Sequence, residues 1–208
     1  MLARQNEQQG NEARLRVLAA AVDEFARHGF ANARIRSIVD AAHANVAAVN
    51  YYFGGKEGLY RATLMSLAVR MEPLDPAKVS AVRGANERVL ACVKLLLQRF
   101  STASGPTPLA RILAHEALAE SGQLAAILQE CLGAELALLR STLREAAGPQ
   151  PPEDALLRLA VGVFGQCVLH LHAALSGEPD ARDMLAAQIA EAVLREARRR
   201  ELASVAGK

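Results

Sequence analysis

Aromatic residues are scarce in this chain, which has no tryptophan, three tyrosines and five phenylalanines among its 208 residues. Hydrophobic residues nevertheless make up 51% of the sequence, and alanine and leucine supply the excess. Both are among the strongest helix formers. The composition therefore predicts an all-α protein, and the length suits one ordinary domain or a small domain joined to a medium one.

Cysteine is also rare. The three cysteines, Cys92, Cys131 and Cys167, are odd in number, widely spaced and embedded in apolar stretches typical of the middle of helices. This pattern predicts buried thiols in a reducing compartment. Residues 1–10 are polar and lack the apolar run of a secretory signal. We therefore expect a cytoplasmic protein.

The chain has almost no excess of charge, since its formal net charge is +2. It thus lacks the overall basic signature of many nucleic-acid-binding proteins. The first 72 residues hold nine Lys or Arg and seven Asp or Glu, so the whole basic excess lies in the N-terminal third. This distribution permits a DNA-binding module there without proving one.

Motifs of the common enzyme classes are missing. The sequence has no Gly-rich phosphate loop, no His-Glu-x-x-His and no Gly-x-Ser-x-Gly. His170 and His172 are two residues apart, so on a helix they would diverge by about 200° and would not chelate one metal ion. We expect no catalytic activity, no metal site and no cofactor.

Residues 159–175 carry no formal charge and are almost long enough for a membrane span. The stretch is shorter than the ~18 residues usually needed, and it contains Gln166, His170 and His172. We interpret it as a buried helix and expect no membrane partner.

Four clusters of proline and glycine, at residues 73–76, 105–108, 148–152 and 177–179, interrupt an otherwise helical pattern. Between them apolar residues recur at helical spacing, as in the series Leu124, Ile127, Cys131, Leu138 and Leu143. We expect five long or medium helices after Pro76. One of them begins at Pro108, with Thr107 as its N-cap.

The elements before Glu72 are shorter. A first helix ends at His28-Gly29, since glycine is a natural C-terminal stop. Short helices at residues 35–42 and from Asn45 flank a tight turn at His43-Ala44. Two short helices across a tight turn, braced by flanking helices, predict a helix-turn-helix.

The runs Phe25-Ala26-Arg27-His28-Gly29-Phe30 and Tyr51-Tyr52-Phe53-Gly54-Gly55-Lys56-Glu57-Gly58-Leu59 resemble the tetracycline-repressor (TetR) family. Residues 45–60 are similar to its CecR-type branch. The resemblance implies an N-terminal three-helix DNA-binding domain with a C-terminal helical bundle that binds an effector and dimerises. We place a flexible N-terminus at residues 1–10, the helix-turn-helix domain at 11–55, a connecting helix at 56–72 and the C-terminal domain at 73–208.

The implied function is a DNA-binding transcriptional regulator, most simply a repressor that a small-molecule effector releases from double-stranded operator DNA. The different-class alternative is a helical ligand-binding or scaffold protein without DNA binding. Salt-dependent DNA binding would separate these hypotheses.

A helix in the major groove needs small residues near the bases and polar side chains that reach base edges and phosphates. Asn50 can pair with adenine, Asn45 can cap the helix, and the tyrosine hydroxyls and Lys56 suit phosphates. Packing is the alternative for these aromatic residues, and we assign Phe53 to the core. The expected DNA-contacting residues are Arg36, Asn45, Ala47, Ala48, Asn50, Tyr51, Tyr52 and Lys56.

Two positions depart from the family pattern. His43 stands where the turn usually has glycine, which predicts a strained backbone with positive φ. Arg34 stands where the family usually has a Ser or Thr cap, so we expect a weakly capped helix, with Asn32 as a substitute cap.

Polar residues within the apolar C-terminal helices, together with their large neighbours, are the candidates for effector contacts, although most such residues serve structure. The candidates are Phe100, Arg111, His115, Phe164, Cys167 and His170.

The helix from Pro152 to Ser176 is apolar nearly all round and so needs a second cover, for which a second subunit is the natural choice. With the last helix it would form an intersubunit four-helix bundle of a homodimer. The expected interface residues are Gly162, Gln166, Leu169, Ala173, Leu185, Ile189 and Val193.

Overall fold

The computed structural model describes residues 2–119, 122–148, 151–173 and 179–206, with side chains for 10–119, 122–148, 151–171 and 181–199. The chain divides into two compact units, residues 1–70 and residues 71–208. The described residues are almost entirely helical, which confirms the all-α prediction.

The N-terminal unit consists of four helices. They are α1 (Leu2–Asn32), α2 (Ile35–Ala41), α3 (Val46–Phe53) and α4 (Lys56–Val69). The backbone of α1 leaves the helical region at Gly29, whose φ is 67°, where the sequence predicts the helix to stop. Residues 2–10, expected to be flexible, are helical and belong to α1. The helix expected to connect two domains, α4, lies within the N-terminal unit.

The core of the N-terminal unit lies where α1 packs against the other three helices. Each helix contributes apolar side chains at helical spacing, so that one face of each is removed from water. The buried residues include Val17, Ala21 and Phe25 of α1, Ile38 and Val39 of α2, Val49 of α3, and Leu59, Tyr60 and Leu64 of α4. This packing holds the two short helices in place.

The C-terminal unit contains seven described helices and one small hairpin. The helices are α5 (Pro76–Ser80), α6 (Ala85–Phe100), α7 (Pro108–Leu118), α8 (Leu124–Cys131), α9 (Gly133–Ala147), α10 (Glu153–Ala173) and α11 (Pro179–Ala206). Between α6 and α7, the two-residue strands β1 (Ser101–Thr102) and β2 (Gly105–Pro106) pair antiparallel, with Ser101 opposite Pro106. The sequence predicts a break in this region but not the pairing.

The apolar series from Leu124 to Leu143 spans two helices. The backbone bends at Leu132, with φ −132° and ψ 36°, which separates α8 from α9. The Leu132 N–H still donates to the Leu128 carbonyl at 2.8 Å, and the Leu136 N–H donates to the Leu132 carbonyl at 2.9 Å. Because these hydrogen bonds continue across the bend and Leu132 is buried, the apolar spacing gives no sign of it.

Helix α10 lies at the centre of the C-terminal unit and packs against α6, α7, α9 and α11. Its residues 153–171 are long and apolar enough to cross a membrane by length and composition, and 44% of this stretch is buried inside the protein. The core helix of a water-soluble protein passes the same test. The contacts with four helices agree with a core helix that keeps one face uncovered.

The cysteines are free thiols, with Cys92 and Cys167 buried and Cys131 half-buried. Burial raises the pKa of Cys92 to about 12 and, together with the charge of Glu130, raises the pKa of Cys131 to about 11. The pKa of Cys167 is raised further, by burial and by its proximity to Cys92. The prediction of buried thiols is therefore confirmed for two of the three.

Candidate nucleic-acid interface and effector residues

The turn between α2 and α3 is closed by local hydrogen bonds. The Ala44 N–H donates to the Val39 carbonyl at 2.9 Å, and His43 has a φ of 49°. Asn45 caps α3, because its Oδ1 accepts a hydrogen bond of 2.8 Å from the Ala48 N–H. The expected cap and the expected positive φ at His43 are both confirmed. The result is a helix-turn-helix in which α3 is the second helix.

The start of α2 is held differently from the prediction. Arg34 is its N-cap and has no side-chain cap bond. Instead, the Arg34 N–H donates to Glu24 Oε1 of α1 at 2.8 Å. The expected cap by Asn32 is therefore wrong, because a carboxylate from the preceding helix provides the acceptor.

Helix α3 has one buried and one exposed side. Val49 is buried in the core, whereas Ala47, Asn50 and Tyr51 are exposed, Tyr51 to 83%. Val46 is 47% exposed and lies four residues before Asn50, so it shares this side. The sequence analysis did not include Val46 among the DNA-contacting residues, although its helical spacing indicates that it belongs there. Ala48 is half-buried beside its cap and lies at the edge of the exposed side.

Tyr52 and Phe53 are half-buried and contact the first part of α1. A Cβ atom at Gly10 would lie 3.2 Å from the Tyr52 hydroxyl, so α1 and this hydroxyl approach closely. The Arg14 guanidinium lies 5.6 Å from the centroid of the Phe53 ring. The core position expected for Phe53 is thus only partly realised, and both aromatic rings brace α3 against α1.

Lys56, the first residue of α4, is half-buried. Its Nζ donates to the Ala31 carbonyl at 3.2 Å and lies 4.9 Å from the centroid of the Phe30 ring. The N-cap of α4, Gly55, provides no side-chain cap for the first N–H groups of the helix. A cation and uncapped N–H groups therefore lie together at this helix terminus.

Several arginines surround the helix-turn-helix. Arg34 and Arg36 are exposed on the surface of this unit. Arg16 Nε donates to the Ala42 carbonyl at 3.3 Å, at the C-terminus of α2. The sequence analysis proposed Arg36 as a DNA-contacting residue. It did not identify Arg14 and Arg16 as neighbours of the helix-turn-helix, because both lie on α1, far from the turn in sequence.

Two family models match the chain. Residues 17–63 match "Bacterial regulatory proteins, tetR family". Residues 85–206 match "HTH-type transcriptional dual regulator CecR, C-terminal domain", which is more than half of the chain. The chain belongs to the TetR family. The first match covers the helix-turn-helix described above, and the second covers most of the C-terminal unit.

A curated relative of this TetR-family chain is the HTH-type transcriptional dual regulator CecR of Shigella flexneri, 42% identical over 59 residues. That stretch is 28% of this chain and 26% of the relative, so the match spans about a quarter of the relative's length.

Solved structures of TetR-type regulators share the fold. FadR from Bacillus subtilis, in complex with stearoyl-CoA, has a TM-score of 0.57 at 18% identity, over 87% of this chain and 97% of that one. A cysteine mutant of the TetR family regulator CifR, complexed with a 26-bp operator DNA, has a TM-score of 0.52 at 21% identity, over 86% and 94%. These likenesses establish a TetR fold, with an N-terminal helix-turn-helix and a C-terminal helical domain.

In the C-terminal unit of this TetR-family chain, three of the effector candidates are buried. The rings of Phe100 and Phe164 are 6.1 Å apart, and Cys167 is fully buried on the same helix as Phe164. His115 is half-buried. Arg111 and His170 are exposed, and Arg111 Nε donates to the Pro106 carbonyl at 3.2 Å. These last two side chains lie on outward faces of α7 and α10, apart from the buried group of Phe100, Phe164 and Cys167.

The dimer candidates of the TetR-family chain also separate into two groups. On α10, Gly162 is exposed while Gln166 and Leu169 are half-buried along the same face, and Leu185 of α11 is half-buried. Ile189 and Val193 are only 2% and 5% exposed. Their expected role in the interface is wrong, because they pack inside their own unit. The side chain of Ala173 lies outside the described residues.

Proposed function

We propose that this protein is a homodimeric, DNA-binding regulator of transcription that inserts α3 into the major groove of an operator. The exposed side of α3 carries this proposal. Ala47, Asn50 and Tyr51 share that side, opposite the buried Val49, so polar and small side chains are available together. A protein α-helix fits the major groove, where each base pair presents a distinct set of donors and acceptors.

The proposed contacts divide into base recognition and backbone binding. Asn50 has an amide donor and acceptor that can pair bidentately with adenine, which would specify sequence. Lys56, Arg36 and the Tyr51 hydroxyl would bind phosphates, which fixes the position of α3 without reading sequence. The Asn45 Oδ1 already caps α3, so its amide nitrogen is the part left for DNA. Ala47, with Ala48 beside it, allows a close approach of the helix to the bases.

We further propose that a small-molecule effector binds within the C-terminal unit, between α6 and α10, and releases the protein from DNA as a repressor. Phe100, Phe164 and Cys167 would give such a site an apolar lining, with the half-buried His115 as a polar candidate. FadR, which shares the fold, was solved in complex with stearoyl-CoA, and the apolar acyl chain of such a ligand would suit an apolar lining here. An effector of this kind acts only through its different affinities for the DNA-binding and non-binding conformations.

The proposed dimer uses the uncovered face of α10. Gly162, Gln166 and Leu169 follow one another along that face, and Met184 of α11 is 66% exposed. A second copy of the same helices would cover these residues in a two-fold symmetric bundle. We place this dimer in the cytoplasm, without a membrane partner and without catalytic activity.

Selection of bound duplexes from a random DNA pool tests the proposal. We expect enrichment of a two-fold symmetric site, and an affinity that falls with increasing salt because phosphate binding releases counterions. Arg144→Ala is a matched control, since this exposed arginine of α9 pairs with Glu153 in the C-terminal unit and its removal should leave the affinity unchanged. Absence of any enriched duplex, with no salt-dependent binding, would instead indicate a helical ligand-binding or scaffold protein.

A further inference from the structure

The ring of Phe30 lies next to the ammonium group of Lys56, at 4.9 Å from Nζ to the ring centroid. The neighbouring Ala31 carbonyl accepts a hydrogen bond of 3.2 Å from the same ammonium. Both contacts come from the segment after Gly29, where a φ of 67° and a ψ of 177° turn the chain out of the helix. This bend brings a ring and a carbonyl oxygen to one cation.

The Phe30 ring is itself fixed by other rings. Its centroid is 5.0 Å from that of Tyr60, and the Tyr60 ring is 4.9 Å from that of Phe25, which is fully buried. Tyr60 and Lys56 both belong to α4 and are one helical turn apart. The ring beneath the ammonium is therefore anchored to the core, although Phe30 is only half-buried.

A lysine side chain has four flexible bonds, and holding it in one conformation costs entropy. An ammonium has three N–H donors, of which the Ala31 carbonyl takes one and the ring face attracts the charge without using a donor. Two donors remain for another acceptor. A lysine held in this way loses less conformational freedom when it binds an anion.

We propose that Phe30 is a positioning residue, which holds the Lys56 ammonium ready to bind a phosphate of the DNA backbone. This inference rests on the proposed function, because it assigns the anion as a DNA phosphate. Phe30 acts through Lys56 and does not itself contact DNA. Its ring therefore increases affinity for all duplexes alike and leaves sequence preference unchanged.

A double-mutant cycle tests the inference. We expect Phe30→Leu in the full-length protein to weaken binding to selected and scrambled duplexes by about two- to five-fold, the range of an exposed cation–π contact. In the Lys56→Ala background the same change should have no further effect. Phe30→Tyr keeps the ring and should retain the wild-type affinity.

Two outcomes of the cycle would overturn the inference. An equal loss of affinity from Phe30→Leu in both backgrounds would mean that Phe30 acts only by packing against Tyr60. Tighter binding by Phe30→Leu would mean that the ring withholds the ammonium from DNA. Phe30→Met, whose longer and unbranched side chain adapts better to the space of the ring, is the second variant if Phe30→Leu does not fold, and thermal unfolding monitors this for each protein.

A measurement without DNA distinguishes failure of this inference from failure of the proposed function. The chain has only four lysines, so spectra of lysine labelled with 13C at the ε-carbon contain few signals, and Lys56→Ala assigns the one of interest. We expect an upfield ring-current shift of the Lys56 ε-methylene signal that Phe30→Leu removes and Phe30→Tyr keeps. An unshifted signal in a protein that binds DNA would overturn the positioning role alone. A shifted signal in a protein that binds no duplex would overturn the proposed function and, with it, the phosphate as the ligand.

Discussion

Arg99 and Glu135 form an ion pair inside the C-terminal unit, with side chains only 9% and 7% exposed. Arg99 lies in the last turn of α6 and Glu135 in the first turn of α9. Each charge therefore complements the dipole of its own helix as well as its partner's charge. The pair joins two helices that also pack against each other.

Removal of one partner of this pair should destabilise the protein strongly. We expect Arg99→Met to lower the free energy of unfolding by about 3–5 kcal/mol, because Glu135 would be left buried without its cation. The double variant Arg99→Met with Glu135→Leu should recover most of this loss. Chemical denaturation measures both. Arg158→Ala, which breaks an exposed pair, is the control and should cost less than about 1 kcal/mol. A double variant no more stable than the single one would contradict this interpretation.

The turn of the helix-turn-helix should favour glycine at position 43. Because His43 has a φ of 49°, we expect His43→Gly to be more stable than His43→Ala by about 1 kcal/mol. Thermal unfolding of the two variants measures the difference. Ala19→Gly, at an exposed position in the middle of α1, is the control and should destabilise by about 0.5–1 kcal/mol. If glycine lowered stability equally at both positions, the turn would not be strained.

Lys56 and Asn50 should affect DNA binding differently. We expect Lys56→Ala to weaken binding to specific and scrambled duplexes about equally and to reduce the dependence on salt by about one counterion. Asn50→Ala should instead change the preferred base at one position, at a cost of about 1–3 kcal/mol for the selected site. Matched titrations on both duplexes measure these effects. Loss of discrimination in Lys56→Ala, with unchanged non-specific affinity, would reverse the two roles.

A charge on the uncovered face of α10 should separate the proposed dimer. We expect Leu169→Glu to give monomers in sedimentation at micromolar concentration, because two carboxylates would face each other in an apolar interface that buries more than ~1,000 Å². Ala134→Glu places the same charge at an exposed position of α9 and should leave the dimer intact. A Leu169→Glu protein that sediments as the wild type does would show that another face forms the interface.

The buried thiols should make stability depend on alkaline pH. Burial raises the pKa of Cys92 from 9.0 to about 12, so above pH 9 the unfolded chain loses this proton while the folded chain keeps it. The unfolded state then binds fewer protons, and the free energy of unfolding falls as the pH rises from about 9 towards 12. Urea denaturation at pH 8 and pH 10 measures the slope. In Cys92→Ala the slope should be smaller, and an unchanged slope would show that other groups cause it.

Local signals in the sequence predicted much of the helix-turn-helix. The Asn45 cap, the Thr107 cap and the end of the helix at Gly29 each depend on residues within a few positions of one another. The exposed side of α3 also follows from helical spacing, once Val49 is assigned to the core. Such features are readable because a hydrogen bond from residue i to residue i+3, or a glycine φ, involves no distant part of the chain.

The tertiary structure alone decided the features that join elements far apart in sequence. Three such contacts depend on how two elements pack. They are the hydrogen bond from the Arg34 N–H to Glu24, the contact of the Phe30 ring with the Lys56 ammonium, and the ion pair between Arg99 and Glu135. The spacing of Ile189 and Val193 identified an apolar face of α11 but not which neighbour covers it, and that neighbour is their own unit. A helical period shows which residues share a face, whereas only the packing of all the helices determines whether that face meets the core, a second subunit or water.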